Sequence, residues 1–238
     1  MSTTTSPARR IAQEFVPPIV TRGFRSLRAR AGFAPARAAR PPKGPLNPDL
    51  IEYGPDFYDN AFDTQDRWTS PYYKLTWYAS WAVIAERVVC ERGAPVLDMG
   101  CGAGHLARLL ADRGIERYVG FDFSEKRLSQ ARLLVPEFRF EIADAYKTDL
   151  FETVDYQIVT CTEFLEHLAG DLEVLDRIRS GTRVLGTVPN YDATAHLRFF
   201  DNADEVQERY TDRFVDLTVT RIRNVYGGCE WLLDGHRV

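Results

Sequence analysis

Two acidic residues and two histidines have the spacing of a metal site. Glu163, Glu166 and His167 are at positions i, i+3 and i+4, so they share one face if a helix begins here. His196 follows about 30 residues later, in the polar segment 189–196. Carboxylate oxygens suit Mg²⁺ or Mn²⁺. The pattern predicts a divalent-metal site with His196 as the fourth ligand; the alternative is that Glu166 and His167 only cap and pack a helix.

A glycine-rich turn forms the second chemical feature of the chain. The apolar run 96–99 leads into Gly100, Gly102 and Gly104, and a helical pattern follows at once. Three glycines in five residues allow a strand-to-helix turn without side chains, so a ligand can lie against bare backbone. The turn is typical of nucleotide-type recognition.

Further polar residues follow neighbouring predicted strands at the same end. Asp122 ends the second strand, where an acid in a doubly wound fold accepts hydrogen bonds from ribose hydroxyls. Asp144 and Ala145 follow the third strand and are placed to meet an adenine edge, and Thr162 ends the fourth strand. Each acid alone could cap the next helix. Together they predict a nucleotide site at the carboxyl edge of a sheet.

Alternating strands and helices must position these residues. The hydrophobic pattern predicts strands near 95–100, 117–122, 138–143, 156–162, 182–188, 216–223 and 230–236. It predicts helices near 104–113, 124–134, 163–179 and 203–210. This order favours an α/β fold with a Rossmann-like, seven-stranded, mostly parallel sheet and helices on both faces. The last two strands have no helix between them, so we expect an antiparallel hairpin at one edge.

The chain divides into a leader (1–48), an aromatic helical cap (49–94) and the α/β domain (95–238). Trp77, Trp81, Ile84 and Val88 recur at helical spacing in the cap, which predicts a helix packed on the sheet. Most aromatic residues of the cap are expected in the core. Tyr73 is the exception, because it precedes this helix and is expected to lie over the site.

The leader is strongly basic. Residues 1–45 carry nine Lys or Arg and one Glu, a charge of +8, so the remainder of a chain with net charge −4 carries −4 − 8 = −12. A basic amphipathic helix in the leader could lie on an anionic membrane surface. A solvated tail and a transit peptide are the alternatives.

Composition limits the compartment and the partners. With 238 residues, of which 45% are hydrophobic, the chain can form one sizeable core. Its four cysteines are scattered without a C-x-x-C pair, which indicates a reducing compartment. We therefore expect a cytoplasmic protein, peripheral at the inner membrane face if the leader helix binds there. The acidic body makes nucleic acid an unlikely partner.

In combination these motifs resemble the class I S-adenosylmethionine (SAM)-dependent methyltransferases. The matching segments are VLDMGCGAG (96–104), VGFDFS (119–124), ADAYKTDLF (143–151) and TVPN (187–190). The resemblance implies SAM as cofactor, with its methionine end against the three glycines and its ribose on Asp122. It implies that Asp98 shapes the turn, that Asp144 and Ala145 flank the adenine, and that Phe123 stacks on it. Thr162 and Tyr73 complete the expected cofactor contacts.

The E-x-x-E-H pattern with a distal histidine resembles two methyltransferase groups. They are the small-RNA 3′-terminal ribose methyltransferases and the ubiquinone-biosynthesis O-methyltransferases, and both methylate a hydroxyl that has an oxygen neighbour. A metal would hold that hydroxyl and lower its pKa. We expect Glu163, His167 and His196 to act in catalysis, with His167 or His196 as the proton acceptor.

A sugar hydroxyl in a glycan, polysaccharide or glycolipid is the expected acceptor, because a vicinal diol suits the predicted metal site. The leader residues 16–19 (VPPI) also resemble leaders of methyltransferases in bacterial surface-polysaccharide pathways. RNA and a small phenol are the alternative acceptors. A non-catalytic, SAM-binding regulatory module is the alternative of another class.

Overall fold

The computed structural model describes Asn47, residues 49–224 and residues 227–238. The leader helix expected within residues 1–48 therefore lies outside the described residues, as does part of the turn that joins the last two strands. None of the described helices is both long and apolar enough to span a bilayer.

The described residues form seven strands and seven α-helices. The strands are β1 (Val96–Met99), β2 (Tyr118–Asp122), β3 (Arg139–Ile142), β4 (Ile158–Thr162), β5 (Arg183–Pro189), β6 (Thr218–Arg223) and β7 (Cys229–His236). The helices are α1 (Pro55–Thr64), α2 (Tyr78–Cys90), α3 (His105–Asp112), α4 (Glu125–Leu134), α5 (Leu150–Thr153), α6 (Asp171–Asp176) and α7 (Ala203–Tyr210). All seven predicted strands are confirmed within about two residues.

The strands form one sheet in the order β3-β2-β1-β4-β5-β7-β6. The first five strands by sequence are parallel to one another, whereas β7 is antiparallel to both β5 and β6. The predicted mostly parallel sheet with an antiparallel edge pair is thus confirmed. From β1 the chain moves outward to β2 and β3 and then returns to β4 on the other side of β1. A sheet of this kind binds ligands where the order reverses, beyond the carboxyl ends of β1 and β4.

Helices pack on both faces of the sheet because its central strands are buried on both sides. One apolar core joins α5, α6 and α7 to one face of the sheet, through side chains such as Leu97 and Val159. The other core joins α2, α3 and α4 to the opposite face, through Val96 and Ile158. The two cores hold the carboxyl edge of the sheet as a rigid platform.

The single helix predicted over 163–179 is wrong. Glu163 has a positive φ of 51°, the short 3₁₀ turn Leu165–His167 follows, and α6 begins only at Asp171. Phe164 is the physical reason, because its ring is buried against Gly100 and the chain must turn sharply to place it there. Gly170 then separates the 3₁₀ turn from α6, where a continuous helix would not favour glycine.

Gly104 and Gly114 test how tightly the glycine turn is packed. Both have φ of +81°, but a Cβ at Gly104 would lie 2.9 Å from Ala131 of α4, whereas a Cβ at Gly114 meets nothing within 4 Å. We expect Gly114→Ala to lose about 1 to 2 kcal/mol of unfolding free energy through backbone strain alone. Gly104→Ala should lose roughly 1 to 3 kcal/mol more through overpacking. Urea unfolding followed by circular dichroism measures both; equal losses would contradict close packing at Gly104.

Candidate functional site

The glycine turn is fixed by backbone geometry and by one aromatic ring. Gly100, Gly102 and Gly104 all have positive φ, which side chains other than glycine rarely adopt. A Cβ on Gly100 would overlap the ring of Phe164. The turn therefore presents bare backbone between β1 and α3, and the residue that follows β4 packs against it.

Two buried aspartates hold the ends of β1 and β2. Asp98 accepts hydrogen bonds from the hydroxyls of Tyr118 (2.6 Å) and Thr160 (2.7 Å), and burial raises its pKa to about 6. Asp122 accepts from the backbone N–H groups of Gly102 (3.0 Å) and Ser124 (2.9 Å). Asp122 thus connects the glycine turn to the start of α4.

One cavity of about 400 Å³ lies beyond β1, β2 and β3. Five residues predicted to contact the cofactor line it: Gly100, Asp122, Phe123, Asp144 and Ala145. Residues 52–55 and Tyr58 of the cap form another part of its wall. The structure thereby brings together the side chains that were expected around a nucleoside.

A second cavity, of about 330 Å³, adjoins the first. Its walls include Asp98, Gly102 and Thr162, and the aromatic rings of Trp68 and Trp77. Five residues line both cavities: Tyr58, Gly100, Arg127, Glu163 and His167. Two neighbouring chambers with a common wall are the geometry that a group transfer between two bound molecules requires.

Two of the predicted cofactor contacts do not line either cavity. Gly104 is buried against α4 and acts only through the shape of the turn. Tyr73 is 58% exposed, and its ring contacts Tyr72 edge-to-face. Tyr72 in turn donates its hydroxyl to Asp112 of α3, which fixes this segment away from the cavities. The aromatic wall comes from Trp68 and Trp77 instead.

Glu166, His167 and His196 form a cluster whose ligand atoms lie within 4.8 Å of one another. Glu166 is fully buried, and neither of its carboxylate oxygens has a hydrogen-bond partner. The Nδ1 atoms of His167 and His196 donate to the carbonyls of Ala195 (2.9 Å) and Tyr191 (3.1 Å). Because a carbonyl can only accept, each Nε2 keeps its lone pair. The cluster offers one carboxylate and two imidazole nitrogens.

The protonation of this cluster is controlled by burial. Burial, together with the neighbouring His196, lowers the pKa of His167 to about 3. Burial also lowers the pKa of His196, so both rings are neutral at pH 7. Burial and the nearby Glu163 raise the pKa of Glu166 well above its ordinary value. A cation placed between the three groups would satisfy the orphaned carboxylate and use both free lone pairs.

The loops after β4 and β5 hold the cluster together. The N–H of Leu197 donates to the carbonyl of Glu166 (2.9 Å). Arg198 donates to the carbonyls of Leu165 (2.7 Å) and Leu168 (2.6 Å) and contacts Asp171 (3.2 Å). These bonds fix the two loops in one register, so residues that are far apart in sequence present their ligand atoms to the same point.

Glu163 does not join the cluster as predicted. Its carboxylate accepts hydrogen bonds from Tyr191 (2.5 Å) and Trp77 (3.2 Å). The positive φ of Glu163 places it off the face that carries Glu166 and His167, so the predicted i, i+3, i+4 arrangement is wrong. Glu163 nevertheless lines both cavities.

Two histidines outside the predicted site have partners that the sequence did not indicate. His105 is buried and stacks on Trp81, with Nε2 3.1 Å from the carbonyl of Ser70. Nδ1 of His236 lies 2.9 Å from a carboxylate oxygen of Asp216. Both contacts are tertiary, and periodicity alone carries no signal for them.

The comparisons with known proteins agree with this geometry. Residues 96–186 match a family model described as a methyltransferase domain. Those residues hold β1 to β4, the glycine turn and most of the nucleoside cavity. The protein carries a class I SAM-dependent methyltransferase domain.

Curated relatives match this domain over part of their length. The ubiquinone biosynthesis O-methyltransferase of Aeromonas salmonicida is 34% identical over 120 residues, which are 47% of this chain and 50% of that protein. The corresponding protein of Azoarcus sp. is 39% identical over 82 residues, 32% of this chain and 34% of that protein. The chain thus spans between a third and a half of these relatives.

Solved structures show the methyltransferase fold over most of the chain. The magnesium protoporphyrin IX methyltransferase of Synechocystis, crystallised with bound SAH, has a TM-score of 0.60 at 17% identity and covers 77% of this chain and 98% of its own. This likeness, at 17% identity, shows the fold of this part of the chain.

The sequence left four residues of the methyltransferase site unassigned. Tyr58, Arg127, Trp77 and Tyr191 line its cavities. Arg127 lies on α4 with its guanidinium 4.8 Å from the ring centroid of Tyr58, and its Nε is buried without a partner. The aromatic density of the cap was a signal for Tyr58 and Trp77. Arg127 and Tyr191 had none, because their positions depend on how the cap packs on the sheet.

Glu230 tests the electrostatic cost of this buried acidic region. It lies on β7, and neither of its carboxyl oxygens has a hydrogen-bond partner that meets the distance and angle limits. Burial raises its pKa from 4.5 to about 7, and the nearby hydroxyl of Ser80 opposes part of this shift. The folded state therefore holds the proton to higher pH than the unfolded chain. Stability falls as pH rises through that window.

We expect Glu230→Gln to remove part of this pH dependence in the metal-free protein. The loss of unfolding free energy between about pH 5 and about pH 8 should shrink by about 1 to 3 kcal/mol. Denaturant unfolding at both pH values measures it, with Glu173→Gln as the matched control, because Glu173 is exposed on α6. If the unfolding free energy of Glu230→Gln changed with pH as much as that of the wild type, the raised pKa of Glu230 would be contradicted.

Proposed function

We propose that this protein is a SAM-dependent O-methyltransferase that acts on a sugar hydroxyl with the help of a divalent cation. The observation that carries the proposal is the cluster of Glu166, His167 and His196. His167 lines both cavities, His196 lines the second cavity, and Glu166 is buried beside them. One cavity has the residues for a nucleoside and the other has room for an acceptor. The cluster would then act on the acceptor close to the transferable methyl group.

SAM would occupy the first cavity, where residues of this chain would contact each part of it. Asp122 would accept hydrogen bonds from the ribose hydroxyls, and Asp144 and Ala145 would lie beside the adenine. The backbone of Gly100 and Gly102 would lie along the methionine part. Arg127 lines both cavities and is available to the methionine carboxylate.

The three residues of the cluster fit a divalent cation. Their free atoms are one buried carboxylate and two imidazole nitrogens, and each imidazole is oriented by a backbone carbonyl, as metal-binding histidines generally are. Two nitrogen ligands favour Mn²⁺ over Mg²⁺, because Mg²⁺ prefers oxygen. When bound, such a cation would hold the acceptor hydroxyl and lower its pKa.

Side chains of the protein would orient the two substrates and accept the proton. The cap closes over the cavities and holds acceptor and donor in line, which supplies a large share of the rate in a transfer of this kind. Glu163 faces both cavities beside Tyr191, and its buried carboxyl is a candidate to receive the hydroxyl proton. His167 and His196 are expected to serve as proton acceptors only if no cation is bound.

A sugar suits the second cavity for two reasons. A vicinal diol offers two oxygens to one cation, and the indoles of Trp68 and Trp77 lie nearly parallel, with centroids 6.3 Å apart and an interplanar angle of 13°. Apolar faces of sugar rings stack on such surfaces.

A phenol is the second candidate, since the relatives include ubiquinone biosynthesis O-methyltransferases and the same indoles would stack on a phenol.

Labelled SAM should identify the acceptor class. We expect transfer of labelled methyl into the carbohydrate fraction of a cell extract, and loss of that label when EDTA is present. Label in small phenols would favour the second candidate, and label in RNA would contradict both. EDTA-resistant label would remove the cation from the proposal.

Glu166 tests the cation directly. Glu166→Gln keeps the size of the side chain but removes the charge, so we expect activity to fall about a hundredfold or more. Activity of the wild type after EDTA treatment should return with Mn²⁺ more fully than with Mg²⁺. Calorimetry should show unchanged binding of S-adenosylhomocysteine in the variant, which separates this effect from misfolding. Glu173→Gln is the control, and full activity of Glu166→Gln would refute the role.

A further inference from the structure

Two arginines surround one indole ring in the acceptor cavity. The guanidinium carbon of Arg67 lies 4.6 Å from the ring centroid of Trp68, and that of Arg127 lies 4.2 Å from it. Arg67 also lies 5.3 Å from the centroid of Trp77. Both arginines and both indoles line the same cavity. Two like charges are thus brought to one aromatic wall.

In the part of the chain that the structure describes, neither arginine has a carboxylate within salt-bridge distance. Most other described arginines do: Arg108 contacts Asp112, Arg183 contacts Asp234, and Arg209 contacts Asp171. Partial burial lowers the pKa of Arg67, and burial, together with the nearby charge of Arg67, lowers that of Arg127. Stacking on the indole offsets part of this cost. An anion beside the pair would stabilise both charges further.

The two arginines have different access. Arg127 lines both cavities, lies next to the glycine turn and feels the charge of Asp122. The cofactor's own carboxylate is therefore a partner within its reach. Arg67 lines the acceptor cavity and not the nucleoside cavity. Arg67 is also exposed to solvent, so we place it at the opening of the acceptor cavity. A ligand anion at Arg67 must therefore come from the acceptor.

We propose that the acceptor is an anionic saccharide, whose carboxylate or phosphate binds Arg67 while its ring stacks on the indoles of Trp68 and Trp77. The inference rests on the proposed function, because it assigns a role in the acceptor cavity. A guanidinium pairs with either anion through two parallel N–H donors. The hydroxyl to be methylated then points inward, toward Glu163 and the cluster of Glu166, His167 and His196, because the anion is held at the mouth.

Three probes with one sugar ring separate charge from stacking. They are methyl glucuronoside with a carboxylate, glucose 1-phosphate with a phosphate, and neutral methyl glucoside. Each is titrated into the full chain saturated with S-adenosylhomocysteine, and binding is followed by tryptophan fluorescence, since the indoles of Trp68, Trp77 and Trp81 line the cavity. We expect at least one charged probe to bind about tenfold more tightly than the neutral probe. The stronger of the two charged probes identifies the anion.

Arg67→Gln should abolish this difference and leave the binding of S-adenosylhomocysteine unchanged. Arg139→Gln is the matched control, because Arg139 lies on the edge strand β3 and pairs with Glu141 (2.7 Å). The control should keep the preference for the charged probe. Rising salt should weaken the charged probe more than the neutral one.

Three results would overturn the inference: equal binding of charged and neutral probes, no binding of either charged probe, or an intact charge preference in Arg67→Gln. The readout does not require turnover. If the charge preference holds but no methyl group is transferred to any acceptor, the proposed function fails while the anion site at Arg67 stands. If methyl transfer occurs but charge makes no difference, only the inference fails.

Discussion

The reversal of strand order between β1 and β4 is the constraint on which the site depends. Because β2 and β3 lie on one side of β1 and β5 on the far side of β4, the loops that follow β1 and β4 leave the sheet in different directions. The space between them is filled at its base by Phe164 against Gly100. Above that contact the two cavities open, and they share a wall because both are built around the same gap.

A buried acidic region beside that gap makes the site electrostatically demanding. Glu166 and Glu230 are buried and Glu163 is half-buried, and desolvation raises the pKa of each. Glu163 accepts hydrogen bonds from Tyr191 and Trp77. Neither oxygen of Glu166 has a hydrogen-bond partner, and His167 Nε2 lies 3.8 Å from its Oε1. A fold tolerates an orphaned carboxyl group of this kind only when it is neutral or when a cation satisfies it. The raised pKa of Glu166 corresponds to the neutral form, and a cation held by Glu166 and the two imidazoles is the proposed alternative.

The cap completes the site from outside the sheet. Asp59 of α1 accepts a hydrogen bond from Ser124 (2.5 Å), and Asp63 pairs with Lys126 of α4. Glu52 accepts from the hydroxyl of Tyr146 (3.0 Å) and from the N–H of Ala169 (2.7 Å). These contacts attach the cap to the loops after β2, β3 and β4. They bring Tyr58 and the indoles to the walls of the cavities.

The sequence by itself determined the sheet, the glycine turn and the acidic ends of the strands, because these depend on local periodicity and on the backbone freedom of glycine. It also indicated the residues Glu166, His167 and His196. Only the tertiary structure decided their arrangement. Glu163 left the cluster because packing of Phe164 on Gly100 forces a positive φ, which no local pattern records. Arg67, Arg127 and Tyr191 entered the site because cap and sheet pack together, and contacts between distant segments have no periodicity in the chain.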